Sequence, residues 1–203
     1  MIKNPTSSEI KFKNLLNFRD IGGIVADGDK MIRDGIIFRS ANPDSLNGED
    51  IEKLHLLHIR TIIDLRAPGE RNKNRRIIEN IDVLSLPLDF QKRTTELLKP
   101  FLRKKNSEAL ISDISNSLYL EILDATRDVF RQIIEVLLIP ERCPVLIHCQ
   151  VGKDRTGIIC ALILNALGVE RQLIVDDFMK SNEALRPSFN KMLLSIEYDN
   201  HLI

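Results

Sequence analysis

One segment in the second half of the chain restricts the fold more than any other. The apolar run Val145-Leu146-Ile147 leads into a polar loop, residues 148–157, and a second apolar stretch follows as far as Leu167. The short run indicates a buried strand, and the longer stretch indicates a buried helix that ends at Gly168. This order is typical of an α/β protein, with helices on both faces of a mainly parallel central sheet.

The rest of the chain continues this alternation and predicts one domain over residues 1–203. A hairpin is expected over residues 24–40, with its turn at 26–29 and a strand at 35–39. Further strands are expected at 61–65 and 81–88, and helices from Asn47, at 118–138, 170–181 and 187–197. Between two of these elements, residues 91–117 form a long polar connection with a basic run at 103–105. Connections of this length in compact domains are usually functional. We therefore predict a helical lid insertion at 91–117.

Charge and cysteine content restrict the partners and the compartment. Lys plus Arg and Asp plus Glu both number 29, so a net charge of zero argues against bulk electrostatic binding to nucleic acid or to an anionic membrane. No apolar run approaches the roughly 18 residues of a membrane span. Cys143, Cys149 and Cys160 show no disulfide or metal spacing, which suits a reducing compartment. We expect a cytoplasmic protein, with export by a signal-less route left open.

The loop itself carries chemistry. Cys149 and Arg155 stand six residues apart around Gly152, just before a helix N-terminus. Successive backbone N–H groups in such a loop converge on an anion, and the helix dipole favours negative charge there. A cysteine at this place ionises more readily than a free thiol, and an arginine binds phosphate through two parallel hydrogen bonds. These residues predict phosphoryl transfer through Cys149.

Neighbouring residues receive secondary roles. The loop positions Gln150, Val151, Gly152 and Lys153 are expected to surround the anion. Gly152 has no side chain, so the backbone can pass close to the phosphate there. His148 is expected to orient the loop and tune the thiolate. Thr156 either stabilises the leaving thiolate through its hydroxyl or caps the helix. Cys160 is expected in the core. A Walker-type nucleotide site is excluded, since Asp154 follows Gly152-Lys153 where Ser or Thr is required.

The string HCQVGKDRTG at 148–157 resembles the signature of bacterial cysteine-dependent tyrosine and dual-specificity phosphatases, in the branch with phosphoinositide-accepting members. Three further segments are similar to that branch: NFRDIGG at 17–23, FRS at 38–40, and DLR at 64–66 followed by Glu70-Arg71. The resemblance runs from about residue 17 to residue 182. It implies the tyrosine-phosphatase fold and hydrolysis of phosphorylated protein or phosphoinositide through a phosphocysteine. It also implies that no metal or cofactor is needed.

The general acid is left between two aspartates. The chain has no Trp, so the Trp-Pro-Asp loop that many tyrosine phosphatases use is absent in its usual form. Asp154 lies within the loop, and the resembling branch is thought to use it; Asp89 follows the strand predicted at 81–88. We favour Asp154. Lys153 adds a second cation, which in that branch accompanies phosphoinositide acceptance.

Two residues and two functions stay open at this point. Asp64 and Arg66, at a strand end, either line the substrate pocket or form an ion-pair network that holds the N-terminal segment. A catalytically weak phosphate-binding module is one alternative function. A thiol reductase or sulfur transferase is another, although an obvious resolving cysteine is missing. The sequence does not indicate the oligomeric state.

Overall fold

The central sheet of the computed structural model has five strands, and two further strands form a separate hairpin. Residues 10–71, 78–89 and 126–200 are described. The strands are β1 (Arg19–Asp20), β2 (Val25–Ala26), β3 (Lys30–Met31), β4 (Ile37–Ser40), β5 (Thr61–Asp64), β6 (Asp82–Ser85) and β7 (Val145–His148). The sheet order is β1-β4-β7-β5-β6, and β2 pairs with β3. The hairpin predicted over 24–40 was therefore too long, because it ends at β3 and the next strand, β4, lies between β1 and β7 in the main sheet.

Strand direction brings three chain segments to one edge. Strands β4, β7, β5 and β6 are parallel, and β1 joins the edge antiparallel to β4. In this register His148 at the end of β7 stands opposite both Ser40 of β4 and Asp64 of β5. The predicted mainly parallel α/β sheet is confirmed. Loops that follow these strands meet where open α/β sheets bind ligands.

Four helices are described: α1 (Gly48–Leu56), α2 (residues 126–137), α3 (Asp154–Ala166) and α4 (Arg171–Asn200). The Asn47 side chain caps α1 by accepting a hydrogen bond from the Asp50 amide at 2.9 Å, as its sequence position predicts. The predicted lid at 91–117 and the first part of the helix predicted at 118–138 lie outside the described residues. Within the described ranges, no helix has the length and hydropathy of a membrane span.

The C-terminal prediction of two helices was wrong, because α4 is continuous and contains Pro187. A proline lacks the N–H donor of the helix and usually breaks it. Here Asp177, Ser181 and Leu185, each four residues apart, are all buried on one side of the helix. Packing along that side stabilises the helix up to the proline. Local sequence signals do not reveal such tertiary packing.

Each face of the sheet has its own apolar core. On β7, Val145 and Ile147 belong to one cluster and Leu146 to the other, as alternation along a strand requires. The first cluster includes Ile133 of α2 and Ile159 of α3; the second includes α1. Burial on both faces explains why β7, in the middle of the sheet, is apolar from Val145 to Ile147. The sheet is thus a rigid base for the loop after β7.

Candidate active site

The loop between β7 and α3 brings the predicted nucleophile and cation together. Cys149 directly follows β7 and is 2% exposed, and Arg155 is the second residue of α3. The strand end fixes the cysteine, and the helix start fixes the arginine. The loop therefore lies at the N-terminus of α3, where backbone N–H groups lack intrahelical partners.

Three consecutive loop carbonyls are held from outside the loop. The pairs are Gln150 with the Asn42 amide group (3.2 Å), Val151 with Asn17 (3.1 Å) and Gly152 with the Arg39 guanidinium (2.9 Å). In a trans peptide the carbonyl and the following N–H point in opposite directions. The outward carbonyls therefore turn the next N–H groups toward the inside of the loop, as an anion cradle requires.

Gly152 is required by the backbone of a neighbouring strand. Its φ of +71° lies in the left-handed region, and a Cβ there would overlap the Ser40 carbonyl group and lie 2.7 Å from the Ala41 nitrogen. The structure thus shows a close approach of Gly152 to the end of β4, whereas the predicted approach to a phosphate stays a prediction. A side chain at this position would push the loop away from the sheet.

Arg155 forms an end-on pair with the carboxylate of Glu70, a residue to which the sequence assigned no role in the site. Its Nη1 and Nη2 donate to Glu70 Oε2 and Oε1 at 2.5 and 2.6 Å. Burial lowers the pKa of Arg155, but the Glu70 hydrogen bonds and the nearby Cys149 outweigh this effect and raise it. Glu70 is itself held by the Ala67 amide at 2.8 Å. A short turn after β5 therefore sets the direction of the arginine.

Asp64 and Arg66 form a buried ion-pair network beside the loop. Arg66 donates to both Asp64 oxygens, at 3.0 and 2.9 Å, and to Asp44 at 2.5 and 3.1 Å. Both Asp64 and Arg66 are fully buried. The structure shows an ion-pair network, but its further carboxylate is Asp44, which follows β4, and not a residue of the N-terminal segment. The predicted role of Asp64 and Arg66 in substrate binding stays a prediction.

His148 is a neutral residue that faces the loop backbone. It is 1% exposed, and burial lowers its pKa to about 4. Its Nδ1 lies 3.1 Å from the Cys149 carbonyl oxygen, and its Nε2 lies 3.8 Å from Asp64. Because a carbonyl only accepts, we assign the proton to Nδ1. This geometry fits the predicted orienting role.

Both candidate acids and Thr156 lie near the same edge of the sheet. Asp154 is the first residue of α3 and is half-buried, as is Lys153 before it. Asp89 is exposed and follows Leu88, whose amide donates to the Leu65 carbonyl at 3.0 Å, next to Asp64 at the end of β5. Thr156 is fully buried, and its Oγ1 has no hydrogen-bond partner in the described part of the chain.

Comparison with known proteins identifies the family. A family model described as the tyrosine phosphatase family matches residues 10–200. The chain belongs to the tyrosine phosphatase family. The resemblance drawn from the loop string and the three supporting segments is therefore confirmed.

Two relatives cover most of this tyrosine phosphatase family member. The triple specificity protein phosphatase PtpB of Mycobacterium tuberculosis is 31% identical over 201 residues, which span 87% of this chain and 71% of the relative. A Cupriavidus necator protein provisionally named as a tyrosine-protein phosphatase is 28% identical over 188 residues, 92% of this chain and 67% of its own. Among solved structures, the catalytic core of the PP-IP phosphatase Siw14 of S. cerevisiae matches at a TM-score of 0.44 and 21% identity, covering 71% of this chain and 70% of its own.

The other cysteines of this family member lie away from the loop chemistry. Cys160 is fully buried in the core, and burial raises its pKa to about 11, so the predicted core position is confirmed. Cys143 is half-buried, and burial raises its pKa as well. All three cysteines are free thiols.

We expect Glu70→Gln to lower the free energy of unfolding by about 1–2 kcal/mol at pH 7, because it removes a charge-assisted pair. Hydrogen bonds from Arg155, working against burial, hold the pKa of Glu70 below its ordinary value of 4.5. A lowered folded pKa stabilises the protein above the unfolded pKa, and the gain is lost as pH falls through the folded pKa. Urea unfolding from pH 7 to about pH 3 measures it.

The free energies of unfolding of Glu70→Gln and of the parent protein should become equal at the acidic end of this pH range. Glu52→Gln, at an exposed glutamate of α1, is the matched control and should follow the parent protein at every pH. A Glu70→Gln deficit that is equally large at both ends of the pH range would contradict the ionic origin of the effect.

Proposed function

We propose that this chain hydrolyses phosphoric monoesters, with Cys149 as nucleophile and a phosphocysteine as intermediate. The observation that carries this proposal is the loop 149–155, which joins a buried cysteine to a buried arginine and whose carbonyls at 150–152 are held by donors from outside the loop. A thiol reductase or sulfur transferase also uses a cysteine in an anion loop, but this chain lacks an obvious resolving cysteine. A phosphate-binding module needs the cradle but not the cysteine.

In the first step the Cys149 thiolate attacks phosphorus. The S–P bond forms as the bond from phosphorus to the ester oxygen breaks, and the leaving oxygen takes a proton from the general acid. Arg155 and the loop amides hold the charge on the non-bridging oxygens, which is the largest electrostatic contribution available here. Covalent catalysis divides one difficult displacement into two easier ones.

In the second step water hydrolyses the phosphocysteine. The new O–P bond forms, the S–P bond breaks, and the water proton returns to the carboxylate that acted as acid. The Cys149 thiolate is released as inorganic phosphate forms. The unpartnered Thr156 hydroxyl supports a role here, because a buried donor without a partner gains a hydrogen bond to the thiolate.

We assign the general acid to Asp154 in preference to Asp89. Asp154 is adjacent to Arg155 at the start of α3 and half-buried, whereas Asp89 is exposed. A proton donor that belongs to the phosphate-binding loop needs no second segment of the chain to place it near the leaving oxygen. Asp89 remains the alternative, because it follows Leu88, which contacts Leu65 at the same edge of the sheet as the loop.

We expect Asp154→Asn to lower kcat for phenyl phosphate by about 10²–10⁴-fold and to flatten the alkaline limb of the pH profile. The loss should be smaller for p-nitrophenyl phosphate, because its leaving group needs less protonation. Steady-state rates on both esters from pH 5 to 9 provide the measurement. Asp89→Asn is the matched comparison. If only Asp89→Asn shows this pattern, the acid is Asp89.

For the substrate we propose phosphotyrosine proteins, with phosphoserine and phosphoinositides as the wider range. The M. tuberculosis relative is named a triple specificity phosphatase. Lys153 favours the phosphoinositide alternative, because it places a second cation in the loop beside Arg155. We place the reaction in the cytoplasm, where the three free thiols stay reduced.

Phosphate release from three substrates tests the proposal: a phosphotyrosine peptide, a phosphoserine peptide and phosphoinositides in mixed micelles. We expect the highest kcat/KM for phosphotyrosine. A higher value for phosphoinositides would favour the alternative. Tungstate binding without turnover of any of the three would indicate a phosphate-binding module instead.

A further inference from the structure

Arg39 connects the phosphate-binding loop to the C-terminal helix. It lies on β4 and is fully buried behind the loop. Its Nη2 donates to the Gly152 carbonyl at 2.9 Å and lies 3.5 Å from the Lys153 carbonyl. Its Nη1 donates to Asp177 Oδ2 of α4 at 2.6 Å. One guanidinium therefore holds two loop carbonyls on one side and a helix carboxylate on the other.

Asp177 serves two arginines at once. Its other oxygen accepts from Arg19 Nε at 2.7 Å, and the aspartate side chain is 3% exposed. Burial works to raise the pKa of Asp177, but the two arginines outweigh it and hold the pKa low, so the group is ionised. Arg19 in turn donates to Asn17 Oδ1 at 2.6 Å, and Asn17 holds the Val151 carbonyl. Two of the three outer loop contacts thus depend on one carboxylate.

The cluster has an unbalanced charge. Two cations, Arg19 and Arg39, face one carboxylate, which leaves one positive charge behind the loop. The Arg39 Nε has no hydrogen-bond partner in the described part of the chain. Burial of a cation that is only partly compensated costs stability. Such a cost points to function.

We infer that Asp177 is a positioning residue for the phosphate-binding loop and that it acts through Arg39. The carboxylate fixes the guanidinium, the guanidinium holds the Gly152 carbonyl outward, and the following N–H stays turned toward the anion. This inference deepens the proposed function and rests on it for its catalytic consequence. Its first consequence, anion affinity, is measured without turnover.

The test compares tungstate binding by titration calorimetry with steady-state hydrolysis of p-nitrophenyl phosphate. We expect Asp177→Asn, which keeps the shape but removes the charge, to weaken tungstate binding about tenfold and to lower kcat/KM by at least as much. Arg39→Met should have the larger effect on both. Asp177→Glu, which restores the charge, should recover part of the affinity.

A double-mutant cycle tests whether Asp177 acts through Arg39. If it does, Asp177→Asn weakens tungstate binding clearly less in the Arg39→Met background than in the parent chain, and the remaining loss passes through Arg19 and Asn17. Full additivity of the two losses would overturn the inference. If Asp177→Asn does not fold, Arg39→Lys replaces it, because lysine keeps the charge but cannot join Gly152 to Asp177 in the same geometry. Unchanged tungstate affinity in Arg39→Lys would also overturn it.

Asp20→Asn is the matched control for a merely structural effect. The Asp20 carboxylate accepts from the Gly22 and Gly35 amides at 2.8 and 2.7 Å, at the end of β1 away from the loop. This variant should lower the Tm but leave the tungstate Kd unchanged. An equal loss of affinity in Asp20→Asn would contradict a specific role of Asp177. If the parent chain binds tungstate but hydrolyses no phosphomonoester, the proposed function fails and the positioning of the loop still stands.

Discussion

Cys149→Ser is expected to abolish hydrolysis of p-nitrophenyl phosphate and to leave tungstate binding nearly unchanged. A serine hydroxyl is a far weaker nucleophile here, and loss of a covalent nucleophile costs on the order of 10⁴-fold or more in kcat. Binding persists because the anion is held by Arg155 and by N–H groups that Asn17, Asn42 and Arg39 orient. The measurement pairs kcat with the tungstate Kd.

Cys143→Ser is the control for this prediction. Cys143 is half-buried and precedes β7, so its replacement should leave kcat unchanged. Turnover that survives in Cys149→Ser would contradict the phosphocysteine mechanism. Loss of tungstate binding together with turnover would instead show that Cys149 supports the conformation of the loop.

Arg155→Lys is expected to lower kcat/KM about 10³-fold, although the charge is kept. Lysine is a point charge and cannot present two parallel N–H groups to the phosphoryl oxygens. The bidentate pairing with Glu70, which aims the guanidinium, is lost at the same time. Both kcat and KM should change, because the arginine binds the substrate and the transition state.

Arg142→Lys provides the matched control at an exposed arginine outside the loop, and its kinetics should equal those of the parent chain. If Arg155→Lys retains more than about a tenth of kcat/KM, positive charge alone is sufficient and bidentate geometry is not needed. Glu70 would then have only a stabilising role.

Much of the fold follows from local pattern. The apolar run before Cys149 predicts β7, the N-cap at Asn47 predicts the start of α1, and the stretch after Thr156 predicts α3. These features depend on hydrophobic periodicity and capping, which a few consecutive residues determine. The prediction of two C-terminal helices failed because α4 is continuous through residues 182–186, where Leu185 is buried on the same side as Asp177 and Ser181.

The site residues also fall into two groups, those that the local sequence predicts and those that only the tertiary structure reveals. Cys149, Gly152 and Arg155 lie within one loop, so their spacing in the chain already implies a common anion. The sequence indicates Glu70 only as part of a segment similar to the family, and it gives no signal for Asp177. Each contacts a residue far from it in sequence, and a single sequence contains no signal for such a pairing.

By itself, the sequence determined the strand–loop–helix unit, the nucleophile, the cation and the family to which they belong. The tertiary structure alone decided what holds that loop open to an anion. Asn42 and Asn17 bind its outer carbonyls, and Arg39 connects it to Asp177 on the last helix. The physical reason is that a loop of this kind is not stable on its own. Its N–H groups converge only while donors from distant parts of the chain hold its carbonyls in the opposite direction.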